Sequence, residues 1–386
     1  MAKRNLLLLG ASGSIGTQTL KVIDHYDNDF NLIGVSVYNN ISFLKELLKK
    51  YNSIKYVYLR KLDEELIKQY PNITFYNTTE GIIDMVSKKD VDVVLNGIVG
   101  FSGVIPTYYA LLNNKEVCLA NKESLVCAGD LINDLLNKGK GKLYPVDSEH
   151  CAITQCLVGE QHKKISNLII TASGGPFRNK SIDELKNVTV EQALNHPTWK
   201  MGKKITIDSS TLINKALEVI EAHYLFNVDG DHIRVLIHPT SIVHSMVEFS
   251  DGTIKAQLGC PSMTLPIQYA LLRNNHGECY KEEFDYSKPF SLDFIPLDLN
   301  RFESVKLAYI CLEEKHGLPI VLNGSNEVAV NAFLEGKIKY LDILEVIKYC
   351  FDNFTKQEIN NINDVIKVDA ISRKLANDYI DMKGKR

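Results

Sequence analysis

The stretch Tyr144-Pro145-Val146-Asp147-Ser148-Glu149-His150 ends an apolar run with two carboxylates that flank a serine. Read alone, Asp and Ser before a helix are ordinary caps, and acidic side chains suit the positive end of a helix. Chemistry at this point needs a third acidic group and a substrate. The segment Asp208-Ser209-Ser210-Thr211-Leu212-Ile213-Asn214-Lys215-Ala216-Leu217-Glu218 offers both. It reads as capping residues followed by a helix to about Phe226. Helical spacing then puts Asn214 and Glu218 on one face, with Lys215 three residues before Glu218. Serine hydroxyls, a lysine and amides at a helix start make an oxyanion cradle. The plainer alternative is an amphipathic helix with a solvated Lys–Glu pair.

Two further stretches carry chemistry. Ser173, beside Gly174-Gly175-Pro176 after a strand, adds a hydroxyl where backbone can approach a ligand closely. Residues 195–204, Asn-His-Pro-Thr-Trp-Lys-Met-Gly-Lys-Lys, place His196 just before Pro197, and the only tryptophan (Trp199) and Met201 between Pro197 and Gly202. Their large apolar groups follow neither helical nor strand period. Such a loop either buries them in the core or closes over a substrate as a lid.

At the N-terminal end, Leu6-Leu7-Leu8-Leu9-Gly10-Ala11-Ser12-Gly13-Ser14-Ile15-Gly16 sets a glycine-rich turn between a buried strand and a helix over 17–26. Glycine permits positive φ and close approach, while a helix start offers amides and a positive dipole to a pyrophosphate. The spacing is G-x-x-G-x-x-G rather than G-x-G-x-x-G, and the strand–turn–helix context carries the dinucleotide reading. NAD sites usually place an acid at the end of the second strand, against the ribose hydroxyls. Here that strand ends Val37-Tyr38-Asn39-Asn40, without a carboxylate, which favours NADP; no Lys or Arg stands in that turn either.

The elements that must position these residues follow two patterns. Up to residue 146, apolar runs at 6–9, 32–37, 56–59, 73–76, 91–95, 117–119 and 143–146 alternate with helical stretches such as 43–50 and 124–137. That alternation predicts an α/β, doubly wound (Rossmann-like) parallel sheet over 1–146, with ligands beyond the carboxyl ends of its strands. Residues 147–285 read as an α+β domain, with a strand at 165–171. Further runs at 234–237, 242–249 and 253–258 look antiparallel, with Ser250-Asp251-Gly252 as a hairpin turn. A proline-containing connector over 286–299 leads to a helical bundle over 300–386, with helices near 301–314, 326–335, 341–352 and 365–382.

Composition excludes several classes. A chain of 386 residues suits two or three domains, and 45% hydrophobic with 24% charged residues is ordinary for a globular protein. A net charge of -3 argues against a nucleic-acid partner. No apolar run nears the roughly 20 residues that span a bilayer. The start MAKRNLLLLGASG has only four leucines after its basic residues, too few for a signal-peptide core. The eight cysteines include no C-x-x-C pair, and no H-E-x-x-H occurs. Reduced thiols and a cytoplasmic location are expected.

Taken together, GASGSIG, LANKESLV, PVDSEH, ASGGPFR, NHPTWKMGKKITIDSSTLINKALEVIEAHYLF and HPTSIVHSMVEFSDG resemble the 1-deoxy-D-xylulose-5-phosphate reductoisomerase family of the non-mevalonate isoprenoid pathway. The resemblance covers almost the whole chain. It implies that Asp147, Glu149 and Glu218 are carboxylate ligands of one divalent cation, Mg²⁺, Mn²⁺ or Co²⁺, hard or borderline ions suited to oxygen donors. It implies that Ser148 bonds a substrate hydroxyl and that Lys122, Asn214 and Glu218 flank the reacting carbons. Ser173, Ser209, Asn214 and Lys215 would hold the phosphate, and His196, Trp199 and Met201 would belong to a flexible lid. Asn121 and Glu123 would border the nicotinamide; Ser12, Gly13, Ser14, Ile15, Asn39, Asn40 and Gly202 would border the rest of NADPH. The implied reaction rearranges a 2-keto sugar phosphate, by a retro-aldol or an α-ketol route, and reduces the resulting aldehyde with NADPH. A homodimer is expected on the same ground.

Members of the family often carry a basic residue where this chain has Tyr38-Asn39-Asn40; Lys45 or the Arg60-Lys61 pair are the candidates to supply that charge. Two rivals remain at this level. One is an NADP-dependent dehydrogenase of another phosphorylated aldehyde or ketose, which needs no three-carboxylate site. The other is a non-catalytic dinucleotide sensor, which needs no phosphate cradle.

Overall fold

The computed structural model describes residues 2–161, 164–199, 201–278, 284–285, 287 and 289–384. Lys200 of the expected lid, Tyr286 of the expected connector and Cys279 lie outside these residues. The chain forms two compact units. The first comprises Met1–Ser124, Ile132–Cys151 and Ser262–Glu282; the second comprises Leu125–Leu131, Ala152–Pro261 and Glu283–Arg386. The helical segment expected over 300–386 thus lies within the second unit.

In the first unit the strands are β1 (Arg4–Leu9), β2 (Phe30–Val37), β3 (Tyr56–Leu59), β4 (Thr74–Tyr76), β5 (Val93–Asn96), β6 (Glu116–Leu119) and β7 (Lys142–Pro145). All pair in parallel, in the order β4-β3-β2-β1-β5-β6-β7. β1 sits near the centre, and Leu6, Leu7, Leu8 and Leu9 expose nothing. A strand covered on both faces must be apolar at every position, which is why it reads as a continuous leucine run. One core gathers Leu8, Val35, Leu44, Val57, Leu95 and Ile267.

The strand order reverses between β1 and β5, the switch point at which such sheets bind ligands. There the chain passes very close to itself. Gly10 has φ +80°, and a Cβ on it would lie 2.7 Å from the Gly97 carbonyl oxygen. The returning helix Thr264–Leu271 packs against the helix Ser14–His25. Its end is fixed by Arg4, which donates to the Leu271 carbonyl and pairs with Glu116 at 3.1 Å, while Arg273 reaches Glu116 at 2.9 Å.

The second unit holds β8 (Ile165–Ala172), β9 (Ile233–Ile237), β10 (Val243–Phe249), β11 (Ile254–Leu258) and β12 (Ile295–Pro296), in the order β11-β10-β8-β9-β12. The expected hairpin closes β10 onto β11: Phe249 N–H donates to the Thr253 carbonyl at 2.8 Å, and Gly252 sits at φ +84°. The antiparallel reading fails for β9, which runs parallel to β8. A long helical crossover separates β8 from β9 and permits parallel pairing. The short link 238–242 then steps over β8, and β10 pairs with its other edge.

Four helices, Glu303–Glu314, Leu318–Leu334, Asp342–Asn353 and Ile362–Gly384, form the helical tail. Leu318–Leu334 is buried over most of its length and packs against the last two. Its one charged residue, Glu327, is held by Arg373 at 2.7 Å, which also grips Asp369 at 2.6 Å. Among the described residues no helix is long and apolar enough to cross a membrane.

Candidate active site

In the first unit, Asp147 follows β7 and immediately precedes the helix Ser148–Cys156. Asp147 and Glu149 each bring an oxygen within 4.8 Å of the other. Ser148 Oγ donates to Glu149 Oε2 at 2.5 Å, and His150 Nδ1 stands 3.9 Å from Asp147 Oδ2. Lys122, itself buried, forms an ion pair with Asp147. A carboxylate withdrawn from water is strongly disfavoured unless charge and hydrogen bonds replace its hydration, and Lys122 supplies that charge. Oxygen donors of this kind suit a hard divalent cation.

Asn121 and Glu123, expected at the nicotinamide end, are buried. The Asn121 amide donates to the carbonyls of Ile98 (2.9 Å) and Gly100 (2.8 Å) and to Glu123 Oε2 (3.1 Å). Its oxygen accepts from Ser124 N–H at 3.0 Å. With every polar atom engaged, Asn121 is a rigid part of the edge formed beyond β5 and β6.

The nucleotide loop fits a pyrophosphate. The helix Ser14–His25 has Gly13 as its N-cap and no side-chain cap, so its first amides stay available beside Ser12, Ser14 and Ile15. Ser36, near the end of β2, ties that strand to the loop: its carbonyl accepts from Ala11 N–H at 2.9 Å and its Oγ from Gly10 N–H at 2.7 Å. Asn39 and Asn40 are therefore carried just beyond the loop, both exposed. Asn40 Oδ1 is already committed, accepting from Phe43 N–H at 3.1 Å as the cap of the helix Ile41–Lys50.

The second unit corrects one sequence expectation. Asp208, Ser209 and Ser210 do not open a helix; they lie in the last turns of Lys203–Thr211. Leu212 at φ +58° breaks the chain, and a new helix runs Ile213–Phe226. A β-carbon at positive φ is strained, so the local pattern gives no warning of the break. It makes two termini meet. Asn214 and Lys215 stand in the first turn of the new helix, beside the serines that end the old one. The spacing argument survives, because Asn214 Nδ2 donates to Glu218 Oε1 at 2.5 Å and Lys215 pairs with Glu218. Lys215 and Glu218 are 3% and 1% exposed, which excludes a solvated surface pair.

Ser173 is brought to the same place. Gly175 has φ +65°, and a Cβ on it would lie 2.8 Å from the Ser209 carbonyl oxygen, so only glycine lets these loops approach. Ser173 Oγ accepts from Gly175 N–H at 3.2 Å and contacts His196 Nε2 at 3.2 Å. His196 Nδ1 accepts from the N–H groups of Thr198 (3.2 Å) and Trp199 (2.9 Å). Nδ1 must therefore be bare, and the ring hydrogen sits on Nε2, directed at Ser173. Burial first, then the nearby Arg178 charge, lowers the His196 pKa below its ordinary 6.5.

Trp199 and Met201 are half-buried, the indole 6.3 Å from the His244 ring. Fixed points bound the loop on either side. The helix Val190–Leu194 ends it upstream behind a Thr189/Gln192 capping box. Downstream, Gly202 caps Lys203–Thr211 with open space around its α-carbon. Lys204 then pairs with buried Asp208 at 2.9 Å, and Asp208 also accepts from Asn326 at 2.8 Å.

Sequence reading passed over Arg178 and the Lys204–Asp208–Asn326 anchor. A cation inside ASGGPFR was available as a signal for the first. The second joins residues 118 apart and leaves no local pattern. Six of the described cysteines are buried and Cys260 is half-buried; none of these seven is in a disulfide.

Comparison with known proteins agrees with this architecture. Three models of the family match: 1-deoxy-D-xylulose 5-phosphate reductoisomerase over residues 6–129, and two descriptions of its C-terminal domain over 143–226 and 258–375. A 1-deoxy-D-xylulose 5-phosphate reductoisomerase of Clostridium novyi is 44% identical over 95% of this chain and 97% of its own length. That of Thermoanaerobacter pseudethanolicus is 43% identical over 98% and 100%. A crystal structure of DOX-P reductoisomerase with NADPH, fosmidomycin and magnesium superposes with TM-score 0.93 at 36% identity, covering 98% of both chains. The Zymomonas mobilis enzyme with NADPH gives 0.89 at 35%, covering 98% of this chain and 99% of that one. With matches that run the length of both partners, this chain belongs to the 1-deoxy-D-xylulose 5-phosphate reductoisomerase family.

Proposed function

We infer that the chain converts 1-deoxy-D-xylulose 5-phosphate, NADPH and a proton into 2-C-methyl-D-erythritol 4-phosphate and NADP⁺, with a divalent cation, in isoprenoid biosynthesis. The carrying observation is the full-length match to reductoisomerases, among them a structure with NADPH, fosmidomycin and magnesium. When bound, NADPH supplies the hydride and the cation supplies Lewis acidity toward substrate oxygens.

The chain's own residues do the rest. Asp147 and Glu149 of the first unit and Glu218 of the second are the cation's carboxylate ligands in this reading, which the all-oxygen donor set supports. Ser173, Ser209, Asn214 and Lys215 bind the substrate phosphate, and this remote contact orients the reacting carbons. Lys122 and Ser148 donate to substrate oxygens that gain negative charge during the rearrangement. His196 presents a neutral Nε2–H beside Ser173, a donor that neither adds nor withdraws a full charge. Trp199 and Met201 exclude water when the loop closes. The nucleotide loop with Asn39 and Asn40 holds the cofactor, and NADPH is preferred over NADH because no acid faces the 2′-phosphate. A homodimer in the cytoplasm completes the reading.

The test is NADPH oxidation followed at 340 nm with 1-deoxy-D-xylulose 5-phosphate, with and without added Mg²⁺ or Mn²⁺. Metal-dependent oxidation yielding the branched product is expected. Oxidation that ignores metal, or that leaves the carbon skeleton unrearranged, would overturn it.

A further inference from the structure

The turn after β2 lacks the cation that a 2′-phosphate calls for, yet the structure places one beside it from another strand. Val37 and Leu59, the last residues of β2 and β3, are paired in register, so both strands end at one level. Tyr38 and Arg60 are the next residues on each. The Arg60 N–H donates to the Tyr38 carbonyl at 3.2 Å, which holds the two chain ends together. The guanidinium lies over the Tyr38 ring, with Cζ 4.8 Å from its centroid, and Nη1 donates to the Tyr38 hydroxyl. Tyr38 is 58% exposed, so the pair of side chains lies open to solvent. No carboxylate among the described residues forms an ion pair with Arg60. Its nearest acidic neighbour in sequence, Asp63, is committed as a cap, accepting from Leu66 N–H at 2.9 Å.

From these contacts we propose that Arg60, held over Tyr38, is the residue that selects the 2′-phosphate of NADPH, standing in for a basic residue in the turn itself. The inference rests on the NADPH reading above and names the side chain that produces the preference. A guanidinium presents a planar fork that matches phosphate oxygens, and in nucleotide folds an Arg near the second strand end commonly accepts this group. Stacking on Tyr38 restricts the side chain before the ligand arrives, so less freedom is lost on binding. Ser36 ties the same strand end to the glycine loop, two residues before Tyr38. Arg60 thus stands along the sheet edge from the pyrophosphate amides. Asn39 and Asn40, exposed beside it, add neutral donors without charge.

The experiment is calorimetric titration of the wild type, Arg60→Met and Tyr38→Leu with NADPH, NADH, 2′,5′-ADP and 5′-AMP, with melting curves for each protein. Methionine keeps the length and the apolar contact with the ring and removes the charge. The expected result is a loss of about 10–100-fold for NADPH and 2′,5′-ADP in Arg60→Met, from a charged hydrogen-bonding partner removed. NADH and 5′-AMP should bind as before. Tyr38→Leu should lose less, in the same two ligands only. Added salt should weaken 2′,5′-ADP binding to the wild type more than to Arg60→Met. Retained preference for 2′,5′-ADP in a normally folded Arg60→Met would overturn the assignment while leaving the NADPH reading intact. A wild type that binds NADH as tightly as NADPH would instead refute that reading itself.

Discussion

Gly13 and Gly16 belong to one motif, but alanine at each should fail for a different reason. A Cβ at Gly16 would lie 2.3 Å from the Gly10 carbonyl oxygen, 2.5 Å from that of Ala11 and 2.6 Å from the Ala11 carbonyl carbon. All three are backbone atoms of the turn just before the helix, so no side chain can swing aside. Overpacking of this kind costs roughly 1–3 kcal/mol. At roughly 2–4 °C per kcal/mol for domains of 150–250 residues, the unit should melt several degrees lower. Gly13 has an ordinary negative φ of −81°, and its Cβ would meet only the Gly10 carbonyl oxygen, at 3.3 Å. Alanine is a poorer N-cap than glycine, so the exchange should cost roughly 0.5–1 kcal/mol. The new methyl would, however, stand on the exposed face where a pyrophosphate must approach backbone. Gly13→Ala should therefore melt only about 1–4 °C below the wild type and bind NADPH roughly tenfold or more weakly. Differential scanning calorimetry and NADPH fluorescence titration on both variants decide it. Equal destabilisation, or an unchanged NADPH affinity in Gly13→Ala, would refute the reasoning.

Other expectations follow from the second unit. Glu218→Gln keeps the size of the side chain and its contact with Asn214 but removes a ligand charge. Cation affinity should fall by at least roughly 10–100-fold, the range seen when only a ligand's supporting partner is lost, while NADPH affinity stays; unchanged metal titration would count against the site. Lys215→Ala should weaken a phosphonate–hydroxamate inhibitor far more than NADPH, and comparable losses would argue against the cradle. Trp199 is the only tryptophan, so its emission reports on the loop alone; adding that inhibitor with metal should shift it and slow trypsin at Lys203, and no change in either would mean a fixed loop. The lowered His196 pKa also carries a sign. Between the folded value and 6.5 the unfolded chain binds more protons, so this residue's contribution is full above pH 6.5 and is lost as pH falls through the folded value. Trp199 emission should change over that acidic window, and His196→Gln should abolish the change.

The parts of this protein that local chemistry specifies were legible in advance. Seven strand runs were visible because the inner strands, such as Leu6–Leu9 and Val93–Asn96, are covered on both faces and apolar, the less buried outer ones, such as Thr74–Tyr76, are still short β-rich runs, and the helices between them carry their own period. The hairpin at Ser250-Asp251-Gly252 was visible because its turn needs glycine at positive φ. What stayed hidden depends on partners far along the chain. Nothing in β9 says that it will pair with β8 rather than β10, since the choice lies in the crossover. The break at Leu212 was invisible because leucine is an improbable residue at positive φ and only the surrounding packing imposes it. The Asn-Ile-Ser-Phe order permits Asn40 to cap a helix as well as to face a cofactor, and only the fold shows the cap in use. Arg60 illustrates the same limit from the other side. The missing charge in the Tyr38 turn was readable, and two candidate sources were named, but choosing between them required the register of β2 with β3.

One arrangement repeats in both units, each time between a buried lysine and a carboxylate. Asp147 is paired with Lys122, and Glu218 with Lys215, each pair inside its own unit and each lysine buried. An uncompensated buried carboxylate would take up a proton and cease to be a cation ligand. A lysine beside it supplies the opposite charge that burial demands. The pairing serves the lysines equally, since a buried ammonium without an acid would tend to lose its proton and with it its affinity for anions. In the proposed reading, a cation held by these carboxylates would leave Lys122 and Lys215 available to negative oxygens of the substrate. This is also why Lys215→Ala is a harsher test than removing a phosphate contact alone: besides binding phosphonates poorly, the variant loses the cation paired with Glu218, so its metal titration should differ from that of the wild type.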